Sequence, residues 1–362
     1  MPVSTFARFL LRAAVVLPLI AAPVVRAQTV YSEDFTGTST TNAWYFFNGA
    51  CLTAGTRSPG ANPGQPPGCT GIGASYYNQN LVGGFNGTSG SAQTLPDPGG
   101  NGALRFTNGN PYGYSQNGAI VSAVPFPSTQ GVQVTFKTVT YRGDSGGGGR
   151  DGADGMSFYL MDGSLPPGIG AWGGSLGYSC SNANPPYGGL VGAYLGLGID
   201  EYGNFLNQGD NTASGFGYQW NRIGLRGYGN VAWPWLNANY PSYYPSSLTS
   251  AQQQAAVQST CRTGNLWNYS VPAAPRPVLN ALRKPLTVPD YAAIPGAYKV
   301  LAGLQIANES AIKRSQATPI LYQLKITADG LLSLAYSVNG GALQSVITRQ
   351  NIANSNGPMP AS

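Results

Sequence analysis

The chain has 362 residues, enough for one large domain or two ordinary ones and for a sizeable core. Lys plus Arg is 19, Asp plus Glu 13 and His 0, so every mechanism that needs an imidazole (a triad, a general base, a zinc ligand) is closed to the chain acting alone. Charged residues are only 9%, while Gly is 51, Tyr 22 and hydrophobic residues 42%, a loop-rich and weakly charged composition that still folds and points to an all-β chain.

At the start of the chain, Arg8 and Arg12 precede an apolar stretch, Ala13 to Val25, that ends in "VVRAQ". This pattern predicts a secretory signal peptide over residues 1–27, cut after Ala27, with the mature chain over 28–362. Its two prolines and short length argue against a membrane span. Loss of Arg8, Arg12 and Arg26 takes the formal charge from +6 to +3, and no basic cluster remains to bind nucleic acid. Export also sets how Cys51, Cys69, Cys180 and Cys261 read. They have no C-x-x-C spacing, so two disulfides are expected, with Cys51–Cys69 and Cys180–Cys261 the preferred pairing of three.

Several later segments alternate with period two. Val132, Val134 and Phe136 alternate with Gln133, Thr135 and Lys137, and after a glycine loop at Gly146–Gly149 the residues Met156, Phe158 and Leu160 oppose Ser157 and Tyr159. Residues 227–298 read as a long elaboration between core strands, carrying Trp233, Trp235, Tyr240, Tyr243, Tyr244, Trp267 and Tyr269. It serves either as a lid over a site or as a cover for core. The one helical stretch is Ser247 to Cys261, with Ser/Thr available as N-cap. Near the end, Tyr322, Leu324 and Ile326 alternate up to the turn Asp329-Gly330. Leu332, Leu334, Tyr336 and Val338 repeat the pattern up to Asn339-Gly340, which makes a meander. One-sided strands need a second sheet, so the predicted architecture is a two-sheet antiparallel β-sandwich with one aromatic insertion carrying a short helix.

Three segments carry candidate chemistry: "GADGMSFYLMDG" (residues 152–163), "GGSLGY" (173–178) and "LGIDEYGN" (197–204). In the last, the carboxylate of Asp200, the carbonyl of Tyr202 and the amide of Asn204 fall at alternate positions of a strand end, with Asp210 on the following loop. Hard oxygens without nitrogen or sulfur are the donor set of a Ca²⁺ site. The plainer reading of such a stretch is an Asx-turn.

Taken together and in this order, the three segments resemble the L-type, legume-lectin-like family, in which "ADG" before an aromatic strand is followed by a "GG-x-LG" loop and a strand ending in "D-x-aromatic-x-N". The resemblance runs from about Tyr31 to Ile347 and implies a concanavalin-like jelly roll. It also implies a secreted, calcium-dependent carbohydrate-binding function in adhesion, with a cell-surface or extracellular glycan as partner and no enzymatic activity. Asp154 would accept sugar hydroxyls, a backbone N–H of Gly173 or Gly174 would donate one, and Asn204 would serve both sugar and calcium. The peptide bond before Asp154 would be cis. Tyr202, Trp172 and Tyr178 are candidates for stacking on the sugar. A second, transition metal of the family's plant members is not expected, because Gly198 and Arg222 stand where those members place Glu and His.

Two rival readings come from other classes. The same sandwich hosts glycoside hydrolases, which need two paired carboxylates, and Glu201 lies on the opposite face of the strand from Asp200. The chain also reads as a structural or protein-docking module of a surface or pilus-associated assembly with a degenerate sugar site. After the meander the family implies a further strand, which residues 351–362 do not offer, so either the sandwich lacks one strand or, the preferred reading, the chain is the front part of a longer polypeptide.

Overall fold

The computed structural model describes residues 30–76, 81, 83–86, 95–109, 113, 115–143, 152–209, 212–301, 306 and 311–362. The expected signal peptide, the glycine loop at Gly146–Gly149 and Asp210 lie outside the described residues. The chain divides into two units, Met1–Tyr31 and Ser32–Ser362, and every element named below belongs to the second.

The first half contains β1 (Trp44–Asn48), β2 (Cys51–Leu52), α1 (Cys69–Tyr76), β3 (Leu104–Arg105), β4 (Gly118–Ser122), β5 (Gly131–Thr138), β6 (Gly155–Met161) and β7 (Ala193–Asp200). The second half contains β8 (Arg222–Arg226), α2 (Trp233–Asn239), α3 (Ser250–Thr263), β9 (Trp267–Asn268), β10 (Arg276–Pro277) and β11 (Ala293–Val300). It ends with β12 (Ile320–Thr327), β13 (Leu331–Val338), β14 (Gln344–Asn351) and α4 (Ala353–Asn356). The chain is mostly β, and its named strand pairs are antiparallel. Three helices besides α3 correct the expectation of a single helical stretch.

Two four-stranded sheets dominate, ordered β11-β8-β7-β6 and β14-β13-β12-β5. The meander is the second sheet minus β5. Asn339 and Gly340 both take positive φ, 49° and 73°, the conformation a two-residue turn between twisted strands requires. Alternation then decides what is buried. Tyr322, Leu324 and Ile326 of β12 join Leu195, Leu197 and Ile199 of β7 and Ile223 and Leu225 of β8 in one core cluster. Phe136 stands between the sheets, 5.1 Å from Phe158 of β6 and 5.4 Å from Tyr322.

The other face of the first sheet is built differently. On β7 and β8 its positions are Gly196, Gly198, Asp200, Arg222, Gly224 and Arg226. A Cβ at Gly196 would run into the Tyr178 ring, at Gly198 into the Phe205 ring and at Gly224 into Leu206. The sheet is stripped to glycine where bulky covers sit on it. Leu236, Tyr244, Val257, Leu266 and Tyr269 from the segment between β8 and β11 join Tyr178, Phe205 and Leu206 in a second core cluster. This segment is therefore a cover for core, and its aromatic richness goes into packing.

Helix α3 starts at a capping box, Thr249 with Gln252, and ends at Gly264 with φ 65°. Both disulfides form the preferred pairs, Cys51–Cys69 and Cys180–Cys261. The second ties α3 to the segment that follows the Gly173–Ser175 turn. At the end of the chain, the Ser128 N–H donates to the Ala361 carbonyl (3.2 Å), the Ser128 hydroxyl to that of Pro360, and the Gly163 N–H to that of Ser362 (2.9 Å). Among the described residues no helix is long and apolar enough to cross a membrane.

The glycine face makes a prediction. Gly196→Ala forces a methyl into the Tyr178 ring and lowers stability by about 1–3 kcal/mol, the usual cost of overpacking, read as a lower denaturation midpoint. Gly99→Ala, where the methyl meets open space, leaves the midpoint in place.

Candidate functional site

The register of β7 and β8 does not stop where the strands do. Asp200 faces Arg222; beyond them the Asn221 N–H donates to the Glu201 carbonyl (3.1 Å), the Gln219 N–H to that of Gly203 (3.2 Å) and the Phe216 N–H to that of Leu206 (2.8 Å). Residues 201–206 and 216–221 are thus the two limbs of a hairpin that keeps the sheet's register through bends and turns. It projects past the end of β6, where Asp154 sits just before Gly155, the Cα partner of Asp200. The Asp154 carbonyl accepts the Tyr202 N–H at 3.2 Å, and the Ala153–Asp154 peptide is cis.

Asp200 is 1% exposed. Its carboxylate accepts the N–H groups of Gly203 (2.7 Å, Oδ1) and Phe205 (2.9 Å, Oδ2), which curl the chain around Asn204. No cationic group among the described residues forms an ion pair with it. Burial pushes its carboxyl up to about 7. The two N–H donors and the charge of Arg222 act against that rise, and the carboxylate of Asp154 adds to it. Oδ1 of Asn204 accepts from Nδ2 of Asn207 at 2.9 Å.

Two arginines lie under the hairpin. Arg226 is 0% exposed. Its Nε donates to the Phe205 carbonyl (2.6 Å), and its Nη1 to the Thr212 hydroxyl (2.7 Å) and the carbonyls of Tyr291 (2.9 Å) and Ser214 (3.2 Å). Arg222 donates through Nη2 to the carbonyls of Gly217 (3.0 Å) and Gly203 (3.4 Å). Burial pulls Arg226 down to about 10, which leaves it charged at neutral pH. The Phe205 ring fills the space over Gly198.

The glycine turn reaches this region from another direction. Gly173–Ser175 is one turn of 3₁₀-helix, and the carbonyl of Leu176, just past it, accepts the Ser157 hydroxyl of β6 at 2.7 Å. Neither N–H of Gly173 or Gly174 has an acceptor among the described residues. Such first-turn donors await a partner.

The structure therefore brings Asp154, Asp200, Tyr202 and Asn204 to one end of the β6–β7–β8 strands and ties the Gly173/Gly174 turn to the strand that Asp154 leads into. Tyr178 is corrected as a stacking candidate: it is fully buried and its hydroxyl donates to the Gly227 carbonyl at 2.8 Å. Trp172 is exposed and Tyr202 half-buried. Among the described residues no three His, Cys, Asp or Glu side chains gather in one place. A hard cation here would thus draw on carbonyl and amide oxygens besides carboxylates, a donor mixture calcium accepts. The buried carboxylate of Asp200, which forms no ion pair among the described residues, and the all-oxygen donor set fit that ion. Sequence reasoning missed Arg226 altogether, because two arginines four apart on a strand otherwise of Ile, Gly and Leu do not by themselves tell a buried face from a solvated one.

The buried guanidinium gives a second prediction. Arg226→Met keeps length and removes the donors to three carbonyls and a hydroxyl, costing about 2–4 kcal/mol. Amide exchange at Phe216 and Gln219 should quicken more than at β12, which measures loosening of the hairpin rather than of the whole fold. Comparison of the chain with protein-family models, curated proteins and solved structures finds no match.

Proposed function

We propose that the protein is a secreted carbohydrate-binding domain of the L-type lectin kind, a concanavalin-like sandwich that uses calcium and serves adhesion. The observation that carries the reading is the buried, ion-pair-free carboxylate of Asp200 set beside Asp154 by the β6–β7 register and enclosed by the turn through Asn204. Asp200, the Tyr202 carbonyl and Asn204 would hold the ion, with Asp210 as a further ligand. A bound calcium ion would supply the positive charge that this pocket of oxygens lacks.

The chain's own groups do the recognition. Asp154, half-buried at the mouth, accepts hydrogen bonds from sugar hydroxyls, and the free N–H of Gly173 or Gly174 donates one. The Asn204 amide fixes orientation through its second end. Hydrolysis is disfavoured by the same geometry. An acid must touch the glycosidic oxygen, and Asp200 is shut away with both its oxygens bonded to backbone N–H. Two disulfides and the absence of a membrane-crossing helix among the described residues support export.

The test is calcium titration by calorimetry, followed by binding to an immobilised glycan panel with and without chelator. Asp200→Asn is expected to weaken calcium by at least about tenfold, or ~1.4 kcal/mol. Asp154→Ala should keep calcium and lose glycan binding. Failure of the wild-type chain to bind calcium would overturn the calcium-dependent reading, and unchanged glycan affinity in Asp154→Ala would remove that residue from the site.

A further inference from the structure

The returning limb of the hairpin carries an aromatic residue at every second position. Phe216 is 41% exposed, Tyr218 54% and Trp220 56%. Three exposed rings at alternate positions of one short limb are the densest run of exposed aromatics among the described residues. Packing did not place them there: the limb is held by its backbone. The N–H groups of Phe216, Gln219 and Asn221 are bonded to the opposite limb, and Gly217, with φ 86°, turns the chain where a side chain would be strained. The rings are also fixed relative to their neighbours. Phe216 stacks on Tyr298 at 4.9 Å, and Tyr218 meets Tyr202 edge-on at 5.6 Å.

We propose that Phe216, Tyr218 and Trp220 form a stacking strip for further sugar residues of an extended saccharide chain whose end residue sits at Asp154. The strip rests on the saccharide reading above and extends it from one sugar to a chain. Continuity carries the argument: the Tyr202 N–H is bonded to the Asp154 carbonyl, and the Tyr202 ring touches Tyr218, so the strip begins at the site and leads away from it. Chemistry selects the occupant. The electron-rich faces of these rings suit the C–H faces of pyranoses, and the phenol, indole and Gln219 amide offer hydrogen bonds at their edges. The limb itself carries no cation, and Arg222, which follows it in β8, is buried, so a phosphate-bearing chain finds no counter-charge on the limb. A strip held rigid by its backbone loses little freedom on binding.

The test uses the mature chain and soluble ladders of glucose, mannose and N-acetylglucosamine oligomers, from monosaccharide to hexamer, measured by calorimetry and tryptophan emission with calcium present. In the wild type, affinity for the ladder that binds is expected to rise from monomer to hexamer by at least about fivefold, the order of one or two ring contacts, with a shift in Trp220 emission. In the Tyr218→Ala/Trp220→Ala variant, both side chains being at the surface, that ratio falls toward one. Asp154→Ala weakens every member of the ladder and keeps the ratio. An unchanged ratio in the double variant, or no length dependence in the wild type, would overturn the strip and leave the Asp154 reading standing. Silence of the wild type toward every ladder would overturn both.

Discussion

The candidate site depends on where one guanidinium is buried. Arg226, the last residue of the central strand β8, reaches three carbonyls and a hydroxyl that belong to three separate stretches of chain, at Phe205, at Thr212 and Ser214, and at Tyr291. A charge out of water is costly unless its donors are used, and the planar fork of arginine uses several at once. One Nη2 remains without a partner, so the arrangement is good rather than complete. Arg222 repeats the device four residues nearer the tip, through Gly203 and Gly217. Fixed positive charge thus sits under a hairpin whose base holds the buried carboxylate of Asp200.

From this follows the geometry of the tip. Beyond the strand ends, three backbone hydrogen bonds keep the β7–β8 register as far as Leu206 and Phe216, and the turn held by the Asp200 carboxylate sets the oxygen donors of one limb against the aromatic rings of the other. The Gly173–Ser175 turn is held in a comparable way, through Ser157 of the neighbouring strand.

Much of the fold was legible where a local rule and the tertiary structure agree. The meander could be read from alternation and two turns, because a buried face fixes period two and Asn339-Gly340 can satisfy positive φ at both turn positions. Helix α3 announced itself through its cap. Helix α2 did not: "WPWLNAN" has no capping side chain at Ala232 and few strong helix formers, and its burial of Leu236 is a tertiary effect. Within the site, "ADG" and "DEYGN" could be placed from their order. The part of Arg222 and Arg226 could not, because a strand of Arg, Ile, Gly and Leu does not say whether its arginines face water or carbonyls. The alternate aromatics of residues 216–220 are not singled out by the sequence, because their spacing alone does not reveal their exposure.

Gly196, Gly198 and Gly224 give the central strands no side chains of their own on the outer face, so that face takes its character from segments distant in sequence. Cys180 clasps one of those segments to α3, and the Gly173–Ser175 turn lies only a few residues before it. The outer layer is therefore a single plate laid on a smooth bed, and anything that slides α3 drags with it the amide groups at the mouth of the site.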